Sequence, residues 1–150
     1  MQPMMTDHAF LAHPNLREAL EKLATTMTKK AGTVLFRQGQ SAKGVFLVRT
    51  GKAVVTVRST DDGAGVPRNV GPGAVLGLPA NICGKPYSLT AQVTEDCELG
   101  FVDRSKVVKL LRQDGSLCLH AVEVVGRELA ALRNELAQVP RPSALRATAI

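Results

Sequence analysis

The middle of the chain is built from short apolar runs separated by glycine-containing turns, with no helix-length segment between them. Strands this close together pair with their neighbours in sequence, which indicates an antiparallel barrel or sandwich rather than a parallel sheet. Between the third and fourth runs, Arg58–Asn69 is expected to form a flexible hairpin loop. The runs are Thr33–Phe36, Val45–Val48, Ala53–Val57, Val75–Leu78, Leu89–Val93 and Leu99–Val102.

A helix is predicted before this strand-rich region. Asn15, followed three residues later by Glu18, forms a helix start of the capping-box kind. The apolar stripe that follows has helical spacing and predicts a helix that ends near Lys29–Lys30. The stripe consists of Leu16, Leu20, Leu23 and Met27.

Two further helices are predicted after the last strand. Asp103 is expected to cap a short helix over Ser105–Arg112, and Gly115 ends that segment. Ser116 is the expected cap of a longer helix that reaches Val139. Residues 139–150 are then expected to be a loose tail, and residues 1–14 a segment that precedes the domain.

The last predicted helix carries an apolar stripe with coiled-coil spacing. Its members are successively four, three, four, three, four and three residues apart, which is three heptads or about 30 Å of helix. A helix that packs on its own barrel needs a wider apolar face, and the flanks here include Glu123, Arg127 and Glu128. We therefore favour an interface with a partner helix, and hence a homodimer, over packing on the chain's own barrel. The stripe consists of Cys118, Val122, Val125, Leu129, Leu132, Leu136 and Val139.

Composition narrows the class of protein. With 150 residues, 45% of them hydrophobic and 21% charged, the chain fits one globular domain. The net charge of +6 is spread along the sequence, so it predicts a basic surface more than a nucleic-acid site. We see no secretory signal and no apolar run long enough to cross a membrane. Cys83, Cys97 and Cys118 lack CxxC spacing and are expected to be buried thiols in a reducing cytoplasm, with a redox sensor as the alternative.

The segment from Leu35 to Gly51 resembles the first signature of the cyclic-nucleotide-binding and catabolite-activator (Crp-Fnr) family. Only Phe36 departs from that signature, standing where a smaller apolar residue is usual. Gly71–Gly77 is similar to the family's glycine-rich approach to its ligand cassette. The resemblance covers about residues 15–138. It implies a cupin-like β-roll (a double-stranded β-helix, or jelly roll) over about residues 32–103, followed over about 104–138 by helices that include a long dimerisation helix.

In this family a cassette that begins Gly-Glu and ends with Arg, a hydroxyl or small residue and Ala holds a cyclic nucleotide. The Arg neutralises the phosphate and the Glu accepts a hydrogen bond from the ribose. Here Leu78 stands in place of the Glu and Tyr87 in place of the Arg. By family position, the residues implied to contact a ligand are Gly77, Leu78, Pro79, Ala80, Tyr87, Ser88 and Leu89.

Without the acid and the base, cyclic AMP is not expected to bind in the usual way. We predict a small-molecule-sensing regulatory domain whose pocket holds a more apolar or neutral ligand, with Tyr87 and Ser88 as polar contacts. One alternative is a degenerate pocket filled by Leu78, Tyr87 and Leu89, in a module that acts only through protein partners. A genuine cyclic-nucleotide binder or a truncated transcription regulator is the other alternative.

Enzymes and DNA-binding proteins find less support. His8, His13 and His120 all lie outside the predicted strands, so a cupin-type metal site inside the barrel has no ligands. We therefore expect neither an enzyme nor a metal or cofactor. Only Arg141–Ile150 follows the last helix and its prolines, which is too short for a recognition helix. Direct sequence-specific DNA binding is not expected.

Overall fold

The computed structural model describes residues 8–58 and 66–138 of the chain. Helical segments flank the strand-rich region and one lies within it. They are a single 3₁₀ turn, His8–Phe10, and the helices α1 Pro14–Glu21, α2 Leu78–Cys83, α3 Arg104–Gln113 and α4 Gly115–Gln138. The strands are β1 Thr25–Lys29, β2 Val34–Phe36, β3 Gly44–Val57, β4 Val66–Val70, β5 Val75–Leu76 and β6 Thr90–Asp103.

The two long strands, β3 and β6, organise the sheet. They pair antiparallel from Gly44 opposite Asp103 to Thr56 opposite Thr90. β1 and β2 pair with β6, while β4 and β5 pair with β3, so the main path runs β1-β6-β3-β4. Every named pairing in the described part of the chain is antiparallel. The predicted fold class, mainly antiparallel β with flanking helices, is confirmed.

The sequence predicts two strands, one on either side of Gly51, but the structure has one continuous strand there, β3. Gly51 has a φ of 89°, in the left-handed region that glycine adopts at little steric cost. The register against β6 shifts between Val48 and Ala53, on both sides of this glycine. A Cβ at Gly51 would collide with the carbonyl oxygen of Asp96. Gly51 therefore has the turn-type backbone that the sequence suggests, but it lies within a strand instead of ending one.

Two groups of buried apolar side chains form the core. One fills the inside of the roll and the other lies between the roll and the helices. Each fully buried Leu or Val side chain contributes about 1.5–3 kcal/mol. Members of the inner group include Phe36, Val55, Leu76, Val93 and Leu99. Members of the outer group include Leu16, Leu47, Val102, Val107 and Ala121.

The first helix is shorter than the sequence predicts. The Nδ1 atom of His13 accepts a hydrogen bond from the backbone N–H of Asn15 at 3.1 Å, so His13 rather than Asn15 caps α1. Met27 lies in β1, which pairs with β6. The prediction of a helix to Lys29–Lys30 is wrong, because the threonines around Met27 favour extended backbone and the pairing with β6 satisfies it. The sheet therefore begins at β1 and not near residue 32.

The loop predicted over Arg58–Asn69 is wrong from Val66 onward. Val66–Val70 forms β4, which pairs antiparallel with the second half of β3. This pairing was missed because Pro67 and Arg68 give the segment no apolar run. Residues 59–65 lie outside the described residues.

The helices after β6 follow the prediction with one change of cap. Asp103 caps α3 through a hydrogen bond from the backbone N–H of Ser105 at 3.2 Å, as expected. At the start of α4, Asp114 accepts from the backbone N–H of Leu117 at 3.1 Å, so the expected cap at Ser116 is wrong. The tail over 139–150 lies outside the described residues. In the part of the chain that is described, no helix is both long and apolar enough to span a bilayer.

Candidate functional site

Two left-handed glycines bound the first half of the cassette. Gly77 precedes α2 with a φ of 90°, and Gly84 follows α2 with a φ of 68°. A Cβ on Gly77 would also lie 2.8 Å from Cε1 of Tyr87, closer than real Cβ contacts allow. Gly77 is therefore required both for its backbone conformation and for the room that the tyrosine ring takes.

Leu78 and its neighbours belong to the helix layer of the core. Leu78 is fully buried among residues of α1, α3 and α4. Ala80 is buried as well, and Pro79 is partly exposed. A leucine side chain in such surroundings stabilises the fold by exclusion of water. Leu78 thus packs the roll against the helices.

Tyr87 is held by a complete set of polar and aromatic contacts. Its ring stacks on Phe36 with 3.9 Å between centroids. Its hydroxyl donates to the carbonyl oxygen of Gly44 at 2.6 Å and accepts from the backbone N–H groups of Lys43 and Gly44 at 3.3 and 3.4 Å. The side chain is only 5% exposed. The tyrosine therefore joins the cassette to the start of β3.

Asn81, to which the sequence assigned no role, lies beside this tyrosine. It is fully buried, and its Nδ2 donates to the carbonyl oxygens of Gly77 at 2.7 Å and Gly44 at 2.8 Å. Its Oδ1 is buried without a partner among the described residues. Arg104 of α3 donates from Nε to the carbonyl oxygen of Asn81 at 3.0 Å. A single Asn in a six-residue helix gives no sequence signal of this role.

The two residues at the end of the cassette have side chains in different environments. Ser88 is exposed, whereas Leu89 is buried. Leu89 lines a narrow cavity between the roll and α4, together with Val55, Glu128 and Ala131. The predicted polar contacts Tyr87 and Ser88 therefore do not face a common interior. Their role as ligand contacts stays a prediction.

A second, open groove runs along the other edge of Tyr87. Its walls include Leu35, Gln40, Ser41 and Lys43, and it encloses about 480 Å³. Lys85, which follows α2, is exposed. The groove is open to solvent, unlike the enclosed pockets that bury most of a small ligand.

Glu128 is buried, although the sequence predicts it on the polar flank of the last helix. Its side chain is only 3% exposed and lines the cavity beside Leu89. Burial raises the pKa of this carboxyl to about 8, and the charge of Arg127 lowers it. Helical spacing alone could not place it, because α4 has a second buried face.

That second face packs α4 on its own roll. Its buried residues are Leu117, Ala121, Val124 and Glu128. The predicted dimer stripe lies on a different side, where Val122 is 58% and Leu129 is 52% exposed. Cys118 and Val125 are partly buried, and the side chains of Leu132 and Leu136 lie outside what the structure describes. The helix therefore packs on its own roll and also carries an exposed apolar stripe.

Among the described residues, the histidines and cysteines form no metal-type cluster. Within residues 8–58 and 66–138, no three His, Cys, Asp or Glu side chains are arranged to hold a metal ion. His13 stacks on His120 with 3.7 Å between ring centroids, which joins α1 to α4. Cys97 is buried, and burial raises the pKa of its thiol. Cys83 is exposed, so the expectation of a buried thiol there is wrong: α2 turns this side chain outward.

Comparison with solved structures gives the same fold. The catabolite activator protein of Thermus thermophilus matches with a TM-score of 0.70 and 22% identity, over 83% of this chain and 59% of that one. A cyclic nucleotide-binding-like protein of Brucella abortus matches with a TM-score of 0.54 and 31% identity, over 67% of this chain and 85% of that one.

Comparison of amino-acid sequences adds a related protein and a matching family model. The chain is 25% identical to the anaerobic regulatory protein of Bacillus subtilis over 127 residues, which are 84% of this chain and 53% of that protein. The chain thus spans only a little over half the length of that relative and of the Thermus protein. The family model of the cyclic nucleotide-binding domain matches residues 26–114, more than half of the chain. The chain belongs to the cyclic nucleotide-binding domain family.

Proposed function

We propose that the chain is a sensing regulatory domain that forms a homodimer through α4 and does not bind cyclic AMP in the family's usual way. The regulatory role is supported by the family and by a relative named as a regulatory protein. The proposal that cyclic AMP does not bind in the usual way rests on one observation, the hydrogen bond from the Tyr87 hydroxyl to the carbonyl oxygen of Gly44.

Tyr87 stands where the family has the arginine that neutralises the phosphate. Its hydroxyl is already hydrogen-bonded to the backbone of β3, and its ring is stacked on Phe36. Lys85, the one basic residue between Gly77 and Ala91, is exposed. The cassette therefore presents no buried cation to a phosphate.

Loss of the family's arginine and glutamate contacts has a large energetic cost for binding of a cyclic nucleotide. A buried charge without its partner costs about 3–5 kcal/mol, which corresponds to roughly two to four decades in affinity. Leu78, in the position of the family's glutamate, packs in an apolar cluster and offers no acceptor to a ribose hydroxyl. Loss of that hydrogen bond adds about 1.5–3 kcal/mol. A ligand of this module is more apolar than a nucleotide.

The exposed stripe on α4 supports the homodimer. Val122 and Leu129 are each more than half exposed, and Leu119 beside them is 67% exposed. Contiguous apolar surface on a helix that is already packed on its other side is typical of a partner interface. The face that α4 buries against its own roll is separate, so dimerisation requires no change of fold.

A second candidate function is a module that binds no small molecule and acts only through protein partners. It is favoured by the burial of Leu78, Tyr87 and Leu89, which fill the cassette with their own side chains. The dimer helix has the same role in both candidates.

A thermal-unfolding screen separates these candidates. The panel contains cyclic AMP, cyclic GMP, cyclic dinucleotides and small apolar compounds. A ligand at 100 times its dissociation constant adds about 2.7 kcal/mol of stability, which raises the Tm of a domain of this size by several degrees. We expect no shift with the cyclic nucleotides and a shift with an apolar compound. A shift with cyclic AMP would contradict the proposal, and no shift with any compound would favour the second candidate.

A further inference from the structure

A narrow cavity lies where the end of the cassette meets α4. Its apolar walls are Phe10, Val55, Val57, Leu89 and Ala131. Its volume of about 10 Å³ is room for one water molecule. The cavity therefore lies between the cassette and the helix that carries the exposed stripe.

Glu128 brings a carboxyl group into this apolar space. Its side chain is 3% exposed, and its Oε2 has no hydrogen-bond partner among the described residues. Removal of a carboxyl group from water without a partner disfavours folding. A leucine would fit the same helix face without that cost. The Oε2 atom of Glu128 is therefore available to a hydrogen-bond donor on a ligand.

Among the described residues, two arginines lie near Glu128. Arg127 precedes it on α4 and lowers its pKa, while burial raises it. Arg127 itself donates from Nη2 to the carbonyl oxygen of Leu11 at 2.8 Å. Arg68 of β4 also lines the cavity and donates from Nη2 to the carbonyl oxygen of Ala131 at 3.2 Å. Both guanidinium groups thus bind backbone carbonyls, and neither is hydrogen-bonded to Oε2 of Glu128.

We propose, building on the sensing function above, that this cavity is the ligand site and that the ligand is a small, mainly apolar amine whose N–H groups bind Glu128. An N–H cation is the strongest hydrogen-bond partner of a carboxylate, and the hydrogen bond shortens and strengthens when both are charged. The apolar walls take the hydrocarbon part of the amine. An anionic ligand is disfavoured because it meets the carboxyl group of Glu128.

An amine larger than one water molecule must move a wall of the cavity. Two wall residues, Glu128 and Ala131, belong to α4, and the same helix carries Val122 and Leu129 on its exposed side. Displacement of the α4 wall would move the helix that also carries the exposed stripe.

Calorimetry and thermal unfolding with a matched panel test the proposal on the full chain. The probes are methylamine, propylamine and benzylamine, each compared with the alcohol and the carboxylate of the same carbon skeleton. At ten times its dissociation constant a bound amine raises the Tm by about 3–6 °C. Because the ammonium group binds the ionised carboxylate, binding at pH 7 also releases a proton from Glu128. That release makes the heat of binding differ between phosphate and HEPES buffers.

Variants of Glu128 give the controls. Glu128→Gln is expected to lose both the Tm shift and the proton release, and Glu123→Gln, an exposed carboxyl on the same helix, to keep both. Glu128→Leu replaces the carboxyl group with an apolar side chain, and it is also expected to lose both the Tm shift and the proton release. An equal response in Glu128→Gln and the unchanged chain overturns the proposal, as does a response to amines no larger than that to alcohols. Either result leaves the proposed function to its own test with cyclic nucleotides.

Discussion

The hydroxyl of Tyr87 donates a 2.6 Å hydrogen bond to the carbonyl oxygen of Gly44, and this bond closes the cassette onto the first residue of β3. The same carbonyl oxygen also accepts from Nδ2 of Asn81 at 2.8 Å. One backbone group at the start of a long strand thus holds both halves of the cassette. Tyr87, which the family resemblance assigns to the arginine position, is therefore part of the protein's own packing.

Removal of this hydroxyl should weaken the fold slightly. Tyr87→Phe keeps the ring on Phe36 but loses the hydrogen bond, so we expect a decrease of about 0.5–1.5 kcal/mol in the free energy of unfolding. Urea unfolding measures the change. Ser88→Ala is the matched control because Ser88 is exposed, and an exposed substitution usually stays within about 0.5 kcal/mol. Equal stability of Tyr87→Phe and the unchanged chain would show that the bond contributes nothing.

A side chain at Gly77 should be costly for two separate reasons. Its φ of 90° strains any L residue, and a Cβ would approach the Tyr87 ring to 2.8 Å. Gly77→Ala is therefore expected to lower the free energy of unfolding by about 1–3 kcal/mol. Gly115→Ala is the control, since a Cβ there meets nothing within 4 Å at the start of α4. Chemical denaturation should show the control unchanged or more stable, and equal losses in both would contradict this prediction.

Glu128 should make the fold less stable as the pH rises. Its pKa is about 8 in the folded chain, against an ordinary value of 4.5. Between these two values the unfolded chain has released a proton that the folded chain keeps, so the free energy of unfolding falls with rising pH. The slope reaches about 1.4 kcal/mol per pH unit, and the loss is complete above the folded pKa. Arg127 and Arg68 are the charged side chains near this carboxyl among the described residues.

Glu128→Gln should remove this component of the pH dependence. Urea unfolding from pH 5 to 9 compares the variant with the unchanged chain and with Glu123→Gln. The difference between Glu128→Gln and the unchanged chain should grow with pH by a few kcal/mol and level off above about pH 8. Parallel curves for these two proteins would show that the carboxyl is already ionised, or solvated, at neutral pH.

Charges on the exposed stripe of α4 should separate the homodimer. Val122→Glu combined with Leu129→Glu places two carboxylates on a face that is more than half exposed in one chain, so the monomer should still fold. We expect sedimentation equilibrium at micromolar concentration to give a dimer for the unchanged chain and a monomer for this variant. Ala130→Glu, exposed but off the stripe, should remain a dimer. A monomeric unchanged chain would refute the interface.

The roll was predictable because its signals are local. Gly51 and Gly77 both adopt the left-handed backbone that their place in the sequence suggests, and the apolar runs between the glycines form the core. β1 was not predictable in this way. Leu23 and Met27 continue the helical spacing of α1, and only the distant pairing of Met27 with Leu99 makes this segment a strand.

The cassette could be located from its glycines, but the contacts of its side chains could not be predicted. Sequence placed Leu78, Tyr87 and Leu89 in the cassette, yet nothing local indicates that Tyr87 bonds to Gly44 or that Asn81 lies beneath it. The coiled-coil stripe predicts one apolar face for the last helix, and Glu128 lies on its polar flank. Ala121 and Val124 complete a second face, and Glu128 is buried on it.

A calorimetric titration of the unchanged chain with cyclic AMP tests the central claim most directly. Because Tyr87 occupies the arginine position and is bonded to Gly44, we predict no saturable heat at cyclic AMP concentrations up to the millimolar range. Saturable binding with a micromolar or lower dissociation constant would contradict the claim. It would mean that Tyr87 leaves Gly44 to make room for the nucleotide.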